Sequence, residues 1–464
     1  MAALTVAGGV GAGERAWGQG SEKIPSFNPP VTFDTIGFHP YGLAAGDVTG
    51  PEGVPDGYPD VVVANGGFDL GSFTPIDEGS VTIYRNSGDW SFPAFGLQHS
   101  QTIPFPHSSP RRVVFADMTG NGVPDLVVSA GMPDQWNQGQ DDTWGVYVFI
   151  NNNGSFSLKS HVETPMPVSG LAVADFDNDG LNDVAVCVDW TLLTNGAGES
   201  DFVYVLQNDP SDPGRLILKP SISLNMGGYP DFDTPTSLLA GDFNKTFGPP
   251  KQDIVTVHWI WGNPTAVSVL TGQGNWLFSL ANRDSPCSGW PYEFHDAVSG
   301  RFAMGSLSLD IAARKDNGPV YILHGNSQGN FNLDCSMPSS SDVYKVIKSQ
   351  CLASEPPVSI RGGLAVGHLN GGTKPDLVAT VPSNDNSSYV TMFLGKGDGT
   401  FQIDYCDPRH FVTVGAWHPI QVLCVDLNQD GFDDIVTANY AAPITDPHTI
   451  SVLINKMLVI GEPE

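Results

Sequence analysis

A sequence unit of about 63 residues that recurs seven times is the feature that most limits how this chain can fold. Each copy contains a short apolar strand, an Asp-rich turn, a second apolar strand that begins with Asp, a loop and a third apolar strand. The clearest copy reads GLAVADFDNDGLNDVAV at 170–186, and the last reads VLCVDLNQDGFDDIV at 422–436. Strands of this length and spacing predict about four strands per copy. Four-stranded sheets repeated around an axis form a β-propeller, so the sequence predicts an all-β, seven-bladed propeller of antiparallel blades.

The two ends of the chain predict how the ring closes. The seventh copy stops after its third strand, near Lys456, and the segment 25–40 matches the segment 400–419 that precedes that copy. We therefore expect the N-terminal segment to supply the outer strand of the last blade, which would leave no free sheet edge there. An open solenoid is the alternative, and the offset ends disfavour it. The predicted organisation is a flexible tail or imperfect export signal at 1–24, one propeller domain at 25–456 and a C-terminal tail at 457–464.

Charge excludes one class of partner. The chain has 50 Asp and Glu against 21 Lys and Arg, a formal net charge of −29. A nucleic-acid-binding protein needs a basic face that releases counterions, so nucleic acid is excluded as the main partner. No apolar run reaches the roughly 18–20 residues of a membrane span.

Cysteines and sequons bear on the compartment. Six Cys in 464 residues are too few for a disulfide scaffold, although Cys335 and Cys351 flank a polar loop and are a candidate disulfide. Cys187 and Cys424 lie in apolar strand patterns and are predicted to be buried thiols. Asn-x-Ser/Thr sequons also occur, which favours a secreted or cell-surface glycoprotein. The sequons are at Asn153, Asn244 and Asn386.

The Asp-rich turns have the spacing of a calcium loop. Oxygen ligands at positions 1, 3, 5 and 9, with Gly at position 6 for the sharp turn, suit Ca²⁺. The third and seventh copies are complete, the second has fewer acids, and the first would fit if its insertion bulges out. The predicted ligands are Asp175, Asp177, Asp179 and Asp183; Asp426, Asn428, Asp430 and Asp434; Asp117, Thr119, Asn121 and Asp125; and Asp47, Asp56 and Asp60. Metal-free Asx turns are the alternative. Copies four to six lack key ligands and are expected to be metal-free.

The strand–DxDxDG–D–strand unit, followed after the third strand by Gly-x-Gly-x-Phe as at 397–401, resembles the FG-GAP/VCBS repeat family. The resemblance covers residues 25 to 456. It implies a seven-bladed propeller like the integrin α-subunit head, usually extracellular, with structural calcium loops on one face. It says nothing about activity.

If the Asp turns lie on one face, the loops that precede each first strand lie on the opposite face, which propellers generally use for ligands. These loops and the ends of second strands are rich in His, Trp, Tyr and Arg. The candidate catalytic residues are His107, His295, His418, Arg361 and Tyr440. The candidate ligand-binding residues are Trp136, Trp144, Trp190, His258, Trp259, Trp261 and Arg112.

Three functions fit this inventory. Aromatic side chains that stack on sugars and polar groups that bond hydroxyls favour a carbohydrate-binding, lectin-like module, with a glycan or an extracellular protein as ligand. His, Tyr and Arg around a funnel would alternatively serve a sugar lyase or dehydratase. The third interpretation is an adhesion or assembly subunit. No Gly-x-Ser-x-Gly or His-Glu-x-x-His motif supports hydrolysis, and we favour binding over catalysis.

Overall fold

The fold was examined in a computed structural model. It describes residues 24–50, 55–67, 78–91, 95–106, 108–131, 144–188, 202–224, 233–245, 251–260, 267–284, 294–315, 320–326, 329, 331–332, 362–381, 388–402, 410–440 and 448–456. The candidate disulfide between Cys335 and Cys351 lies outside these residues. Within them, no helix is long and apolar enough to cross a membrane.

The described chain forms seven antiparallel blades in sequence order. Blade 1 is β2 (Pro40–Gly46), β3 (Asp60–Asn65), β4 (Gly79–Asn86) and β5 (Leu97–Phe105). Blade 2 is β6 (Pro110–Ala116), β7 (Asp125–Ala130), β8 (Gly145–Asn152) and β9 (Ser155–Glu163). Blade 3 is β10 (Val168–Ala174), β11 (Asp183–Val188), β12 (Phe202–Asn208), β13 (Leu216–Leu218) and β14 (Ile222–Ser223). Blade 4 is β15 (Asp233–Gly241), β16 (Asp253–Ile260), β17 (Val267–Gly272) and β18 (Phe278–Asp284).

Blade 5 is β19 (Phe294–Gly300), β20 (Asp310–Lys315), β21 (Val320–Gly325) and β22 (Phe331–Asn332). Blade 6 is β23 (Leu364–Gly367), β24 (Asp376–Val381), β25 (Tyr389–Gly395), β26 (Phe401–Gln402) and β27 (Phe411–Thr413). Blade 7 is β28 (Pro419–Val425), β29 (Asp434–Asn439), β30 (Thr449–Leu453) and β1 (Val31–Asp34). In blades 3 and 6 the outer strand is split into two short strands that both pair with the third strand, so these blades keep the four-strand width.

The ring closes as the sequence predicts. The N-terminal strand β1 pairs antiparallel with β30 and forms the outer strand of blade 7. Seven buried apolar clusters lie between neighbouring blades, one at each interface, including the interface of blade 7 with blade 1. Each blade therefore buries both faces against its neighbours, which an open solenoid could not achieve at its ends. Cys187 is fully buried in this core, Cys424 is half-buried, and both are free thiols.

One carboxylate per blade joins the three inner strands. The first residue of every second strand is an Asp with at most 1% of its surface exposed. One of its oxygens accepts the backbone N–H of the second turn residue, such as Leu369 in blade 6 at 2.9 Å. The other accepts the backbone N–H of a residue within two positions of the end of the third strand, such as Gly395 at 2.8 Å. The seven residues are Asp60, Asp125, Asp183, Asp253, Asp310, Asp376 and Asp434.

The residue at the end of the third strand divides the blades into two groups. In blades 1, 2, 3 and 7 it is Asn, and its side-chain amide donates to a turn carbonyl of the preceding blade at 2.7–2.8 Å. In blades 4, 5 and 6 it is Gly, and a Cβ there would lie 2.0–2.2 Å from a backbone oxygen of the same blade. The Asn group is the group that carries the acidic loops. The four Asn residues are Asn86, Asn151, Asn208 and Asn455.

Asp376→Asn tests the buried carboxylate in a blade without an acidic loop. Burial raises the pKa of Asp376 to about 6, so it is charged at pH 7.5. An amide has only one acceptor oxygen, which leaves one of the two buried N–H groups facing a donor. We expect the free energy of unfolding at pH 7.5 to fall by about 1–3 kcal/mol, measured by denaturant titration. Asp398→Asn, at an exposed turn, is the control and should change it by less than about 0.5 kcal/mol. Equal effects at both positions would contradict this role.

Candidate functional site

The turns between first and second strands lie on one face of the propeller, which we call the loop face. The acidic loops occupy it in blades 7, 1, 2 and 3, which are contiguous around the ring. The glycine at position 6 has a positive φ in each regular copy: 83° at Gly122, 93° at Gly180 and 89° at Gly431. A left-handed backbone at this point is what the sharp turn requires. The sharp turn expected at position 6 is therefore present in these loops, whereas calcium binding by them stays a prediction.

The loop of blade 3 brings carboxylates together. Ligand oxygens of Asp175, Asp177 and Asp183 all lie within 4.8 Å of one another, the one such group of three among the described residues. Burial, together with the charges of Asp179 and Asp175, raises the pKa of Asp177. Burial also raises the pKa of Asp183 to about 8, and the charges of Asp177 and Asp179 add to this. Mutually repelling hard oxygens at this separation fit a divalent cation, and Ca²⁺ prefers such ligands.

The loop of blade 7 has the same backbone but a looser side-chain arrangement. Asp426 accepts the N–H groups of Asp430 and Gly431 at 3.1 and 2.9 Å. The Asn428 amide donates to an Asp430 oxygen at 3.0 Å. Burial raises the pKa of Asp434 to about 8, with Asp430 and Asp426 contributing.

The two remaining acidic loops already satisfy their carboxylates in part. In blade 2, Asp117 accepts backbone N–H groups of Gly120, Asn121 and Gly122 at 2.7–3.1 Å, as in a metal-free Asx turn. Thr119 donates to the neighbouring Asp125 at 3.3 Å. In blade 1, Asp47 accepts the N–H groups of Asp56 and Gly57. The Arg85 guanidinium lies 3.5 Å from Asp56 and supplies a protein cation at that loop. The blade 3 loop fits a metal better, because among the described residues it alone brings three carboxylate oxygens within 4.8 Å of one another.

The face opposite the loop face, which we call the channel face, is shaped by a repeated β-bulge. Six of the seven innermost strands have a register shift at the same point near their start. Two of the bulged side chains donate hydrogen bonds to backbone carbonyls of the next blade. Ser169 donates to Pro235 O at 2.7 Å, and Thr236 donates to Phe294 O at 2.6 Å. Arg111 lies over the Tyr41 ring, 5.5 Å from its centroid. The bulge therefore turns one residue per blade toward its neighbour and leaves the next residue to line the channel.

An ion pair spans the channel at the position after the bulge. Arg112 of blade 2 and Asp296 of blade 5 occupy equivalent positions three blades apart, with Nη2 and Oδ1 separated by 3.8 Å. Asp296 is 4% exposed, and its second oxygen accepts the Leu364 N–H of blade 6 at 3.0 Å. The Arg112 side chain is 21% exposed. The separation exceeds hydrogen-bond length, so both groups keep capacity for a further polar partner.

A second cluster lies where blade 7 meets blade 1. Tyr440 packs against three imidazoles, with ring centroids 4.7 Å from His39, 6.1 Å from His418 and 5.5 Å from His448. All four side chains are at most 9% exposed. The backbone of Thr35, which follows β1, donates to the His448 carbonyl at 3.0 Å. The cluster therefore packs the closing junction of the ring.

The other sequence-predicted residues divide by position. His295 lies on β19 in blade 5, whereas His418 and Tyr440 pack against each other at the junction of blade 7 with blade 1. His258 is fully buried, with Nε2 2.9 Å from Thr256 Oγ1. The Trp144 indole N–H donates to the Thr164 carbonyl at 2.6 Å, so it fixes a loop. Trp259 lies in β16. His107, Trp136, Trp190, Trp261 and Arg361 lie outside the described residues.

Sequence reasoning missed Asp296 and His448. Aligning the seven starts of the first strand would have placed Asp296 at the same position as Arg112, because both follow the bulged residue. Position alone does not reveal that the two meet, since that depends on the channel width. His448 precedes a third strand and carries no repeat signal; the pairing of β29 with β30, in which Asn439 lies opposite Thr449, places it beside Tyr440.

Comparison with known proteins supports the repeat and the fold. Residues 55–128 match the model of the FG-GAP-like repeat. No curated protein sequence matches the chain. Among solved structures, BBS1N in complex with ARL6DN is similar at 9% identity and a TM-score of 0.50, over 95% of this chain and 99% of that chain. Sqt1 of Saccharomyces cerevisiae aligns at 11% identity and a TM-score of 0.49, over 93% and 99%. At this identity, the similarity to BBS1N establishes the fold alone.

Asp177→Asn should have opposite effects with and without calcium. Removing one of three crowded charges should leave the metal-free protein as stable as the wild type or more stable. The same change removes a ligand, so the rise in melting temperature on adding Ca²⁺ should shrink. A ligand at 100 times its Kd adds about 2.7 kcal/mol, which sets the scale of the wild-type rise. Melting curves in EGTA, Ca²⁺ and Mg²⁺ measure both effects. A wild-type curve that is the same in EGTA and Ca²⁺ would contradict the metal assignment.

The blade 7 cluster should make stability depend on pH. Burial lowers the pKa of His448 to about 4, although the nearby Asp34 charge opposes this. The unfolded chain then binds a proton that the folded chain does not between pH 6.5 and 4, so stability falls as the pH drops through this range. His448→Phe keeps an aromatic ring without the titration. Its unfolding free energy, from denaturant titrations at several pH values, should fall less than that of the wild type. Parallel pH profiles would rule out His448 as the source.

Proposed function

We propose that this seven-bladed propeller with FG-GAP-like repeats is a secreted or cell-surface binding module. Its ligand, most consistent with a carbohydrate, would engage the channel face, and Ca²⁺ in the acidic loops would stabilise the frame from the loop face. The observation that carries the proposal is the Arg112–Asp296 pair across the channel. Blades 2 and 5, which are three blades apart in the ring, together form this polar site.

The chemistry of this pair suits a hydroxyl-bearing ligand. A sugar hydroxyl both donates and accepts hydrogen bonds, and the pair offers guanidinium donors beside a carboxylate acceptor without net charge. The 3.8 Å separation leaves room for one oxygen that bonds both groups. Asp296 is held in place by the Leu364 N–H, so one of its oxygens is oriented before a ligand arrives.

Binding is favoured over lyase chemistry by the burial of the candidate bases. His418 and Tyr440 are 4% and 9% exposed and pack against each other at the ring closure. Burial lowers the pKa of His418, which keeps it neutral, but a general base must also reach the substrate proton.

Calcium fits this function as a structural cofactor. The residues that would hold it are those of the blade 3 loop, chiefly Asp175, Asp177 and Asp183, whose oxygens already converge. A bound cation would offset their repulsion and fix the turn between β10 and β11. The same loop packs on blade 4, where a Cβ added to Gly274 would lie 2.3 Å from the Asn178 amide. Metal binding would thus tighten an interface between blades.

A glycan array, probed with the calcium-loaded protein, tests the proposal. We expect selective binding that falls about ten-fold or more in Arg112→Gln and in Asp296→Asn, because each loses a charge-assisted hydrogen bond. Asp296→Asn keeps an oxygen for the Leu364 N–H, so its melting temperature should stay near that of the wild type. Lys159→Gln, on the outer strand of blade 2, is the control and should bind normally.

Two outcomes would overturn the proposal. Glycan binding that is the same in Arg112→Gln and Asp296→Asn would place the ligand elsewhere. Formation of an unsaturated sugar product, lost on His418 or Tyr440 substitution, would show a lyase instead.

A further inference from the structure

The loop face carries two arcs of opposite chemistry. Blades 7, 1, 2 and 3 present the acidic loops, whereas the turns of blades 5 and 6 begin with Arg301 and His368 at the position where the acidic loops begin with Asp. The acidic arc is accounted for by the proposed calcium sites. The arc formed by the turns of blades 5 and 6 takes no part in the channel-face proposal. It combines cationic side chains with exposed apolar ones, which is a combination typical of a binding surface.

The side chains at the blade 5–6 boundary form what we call the basic patch, made of Arg301, Met304, Leu307, His324, Lys374 and Lys396. Arg301, His324 and Lys396 are exposed and Lys374 is half-buried. A hydrogen bond that the His324 ring donates to the Asp310 carboxylate, together with the charge of that carboxylate, raises the pKa of His324 and favours its positively charged form. Among the described residues, Asp398 is the exposed carboxylate within the patch. It accepts hydrogen bonds from the backbone N–H and the hydroxyl of Thr400. Cations concentrated in this way are unusual in a chain of net charge −29.

Two large apolar side chains project from the same patch. Met304 is 64% exposed and Leu307 is 59% exposed. Single exposed apolar residues are ordinary, but two on one loop beside several cations form an amphipathic surface.

Contacts between the two blades hold Met304, Lys374 and His324 of the patch close to the 397–399 turn. The Met304 N–H donates to the Gly397 carbonyl at 2.6 Å, and Ala303 pairs with Asp398 in an antiparallel bridge. A Cβ on Gly397 would lie 2.8 Å from Met304 Sδ and 3.2 Å from Lys374 Cε, so these two side chains meet over that glycine. A Cβ on Gly399 would lie 2.5 Å from the His324 ring. Phe302, 2% exposed, anchors the loop in the core.

We infer that the basic patch docks an acidic segment of a partner protein that also carries apolar side chains. Carboxylates of the segment would pair with Arg301, Lys374 and Lys396, and its apolar side chains would cover Met304 and Leu307. Charge complementarity selects this occupant. A nucleic acid or an anionic membrane would feel the repulsion of the whole chain, whereas a short acidic segment contacts the patch alone. The acidic arc beside the patch limits the footprint, so the segment would lie along the boundary of blades 5 and 6.

A labelled peptide tests the inference. The probe is a fluorescein-labelled 12-residue peptide of repeated Glu-Glu-Leu-Leu, and the control peptide has Gln in place of Glu. Fluorescence anisotropy should show that the Glu peptide binds the calcium-loaded protein and that added salt weakens it. The Gln peptide should bind at least about ten-fold more weakly.

Paired variants identify the surface. Lys374→Glu with Lys396→Glu, and separately Met304→Ser with Leu307→Ser, should each weaken the Glu peptide by about ten-fold or more. These side chains are outside the buried cores, so the melting temperature should be unchanged. Lys159→Glu makes a charge change of the same kind on the outer strand of blade 2 and should leave binding intact. Glycan binding should persist in all these variants, so the outcome is separable from that of the channel-face proposal.

Three results would overturn the inference. The first is equal binding of the two peptides, and the second is equal binding of the Glu peptide by the patch variants and Lys159→Glu. The third is self-association through this surface in sedimentation, with the dimer lost in Lys374→Glu with Lys396→Glu; a second copy would then be the occupant.

Discussion

The fold depends on one buried carboxylate in each blade. An Asp at the start of the second strand accepts a backbone N–H from the turn on one side and from the end of the third strand on the other, in all seven blades. Without it, turn N–H groups at the rim of the sheet would be buried and unpaired. It closes the loop face of each blade whether or not the turn is acidic, which separates the structural need for Asp from any metal.

Acidic turns and interblade amides occur in the same blades. Blades 7, 1, 2 and 3 have both the acidic loops and an Asn that bonds to the preceding blade, while blades 4, 5 and 6 have a Gly that fits closely against backbone. The first group includes the junction where the chain ends meet, through Asn455 and the carbonyl of Leu369. The ring is thus built from an arc with this Asn link between blades and an arc in which Gly takes the place of the Asn. The second arc offers its turns, including Met304 and Leu307, for contact.

Sequence periodicity was enough for the blade count, the strand order and the closure by 31–34, because each depends on local patterns that repeat. The positive φ at Gly122, Gly180 and Gly431 was likewise foreseeable, since the turn spacing requires it. The split outer strands of blades 3 and 6 were not, because a two- or three-residue strand gives no periodic signal. For the Asp at position 9, the spacing of the turn predicts metal binding alone. It does not predict the two backbone N–H groups that this Asp accepts, because one belongs to the turn and the other to the end of the third strand.

The sequence by itself determined an all-β ring of seven blades and the positions of its acidic turns, because strand alternation and turn chemistry act over a few residues. Tertiary structure alone decided which distant side chains meet: Arg112 with Asp296 across the channel, Tyr440 with His39 at the closure, and Met304 with Lys374 over Gly397. The members of each of these pairs lie tens to hundreds of positions apart, and their separation in space is set by the radius and closure of the ring. Strand pairing within blade 7 already places His418 and His448 beside Tyr440. That radius depends on how all seven apolar interfaces pack together, which no single repeat encodes.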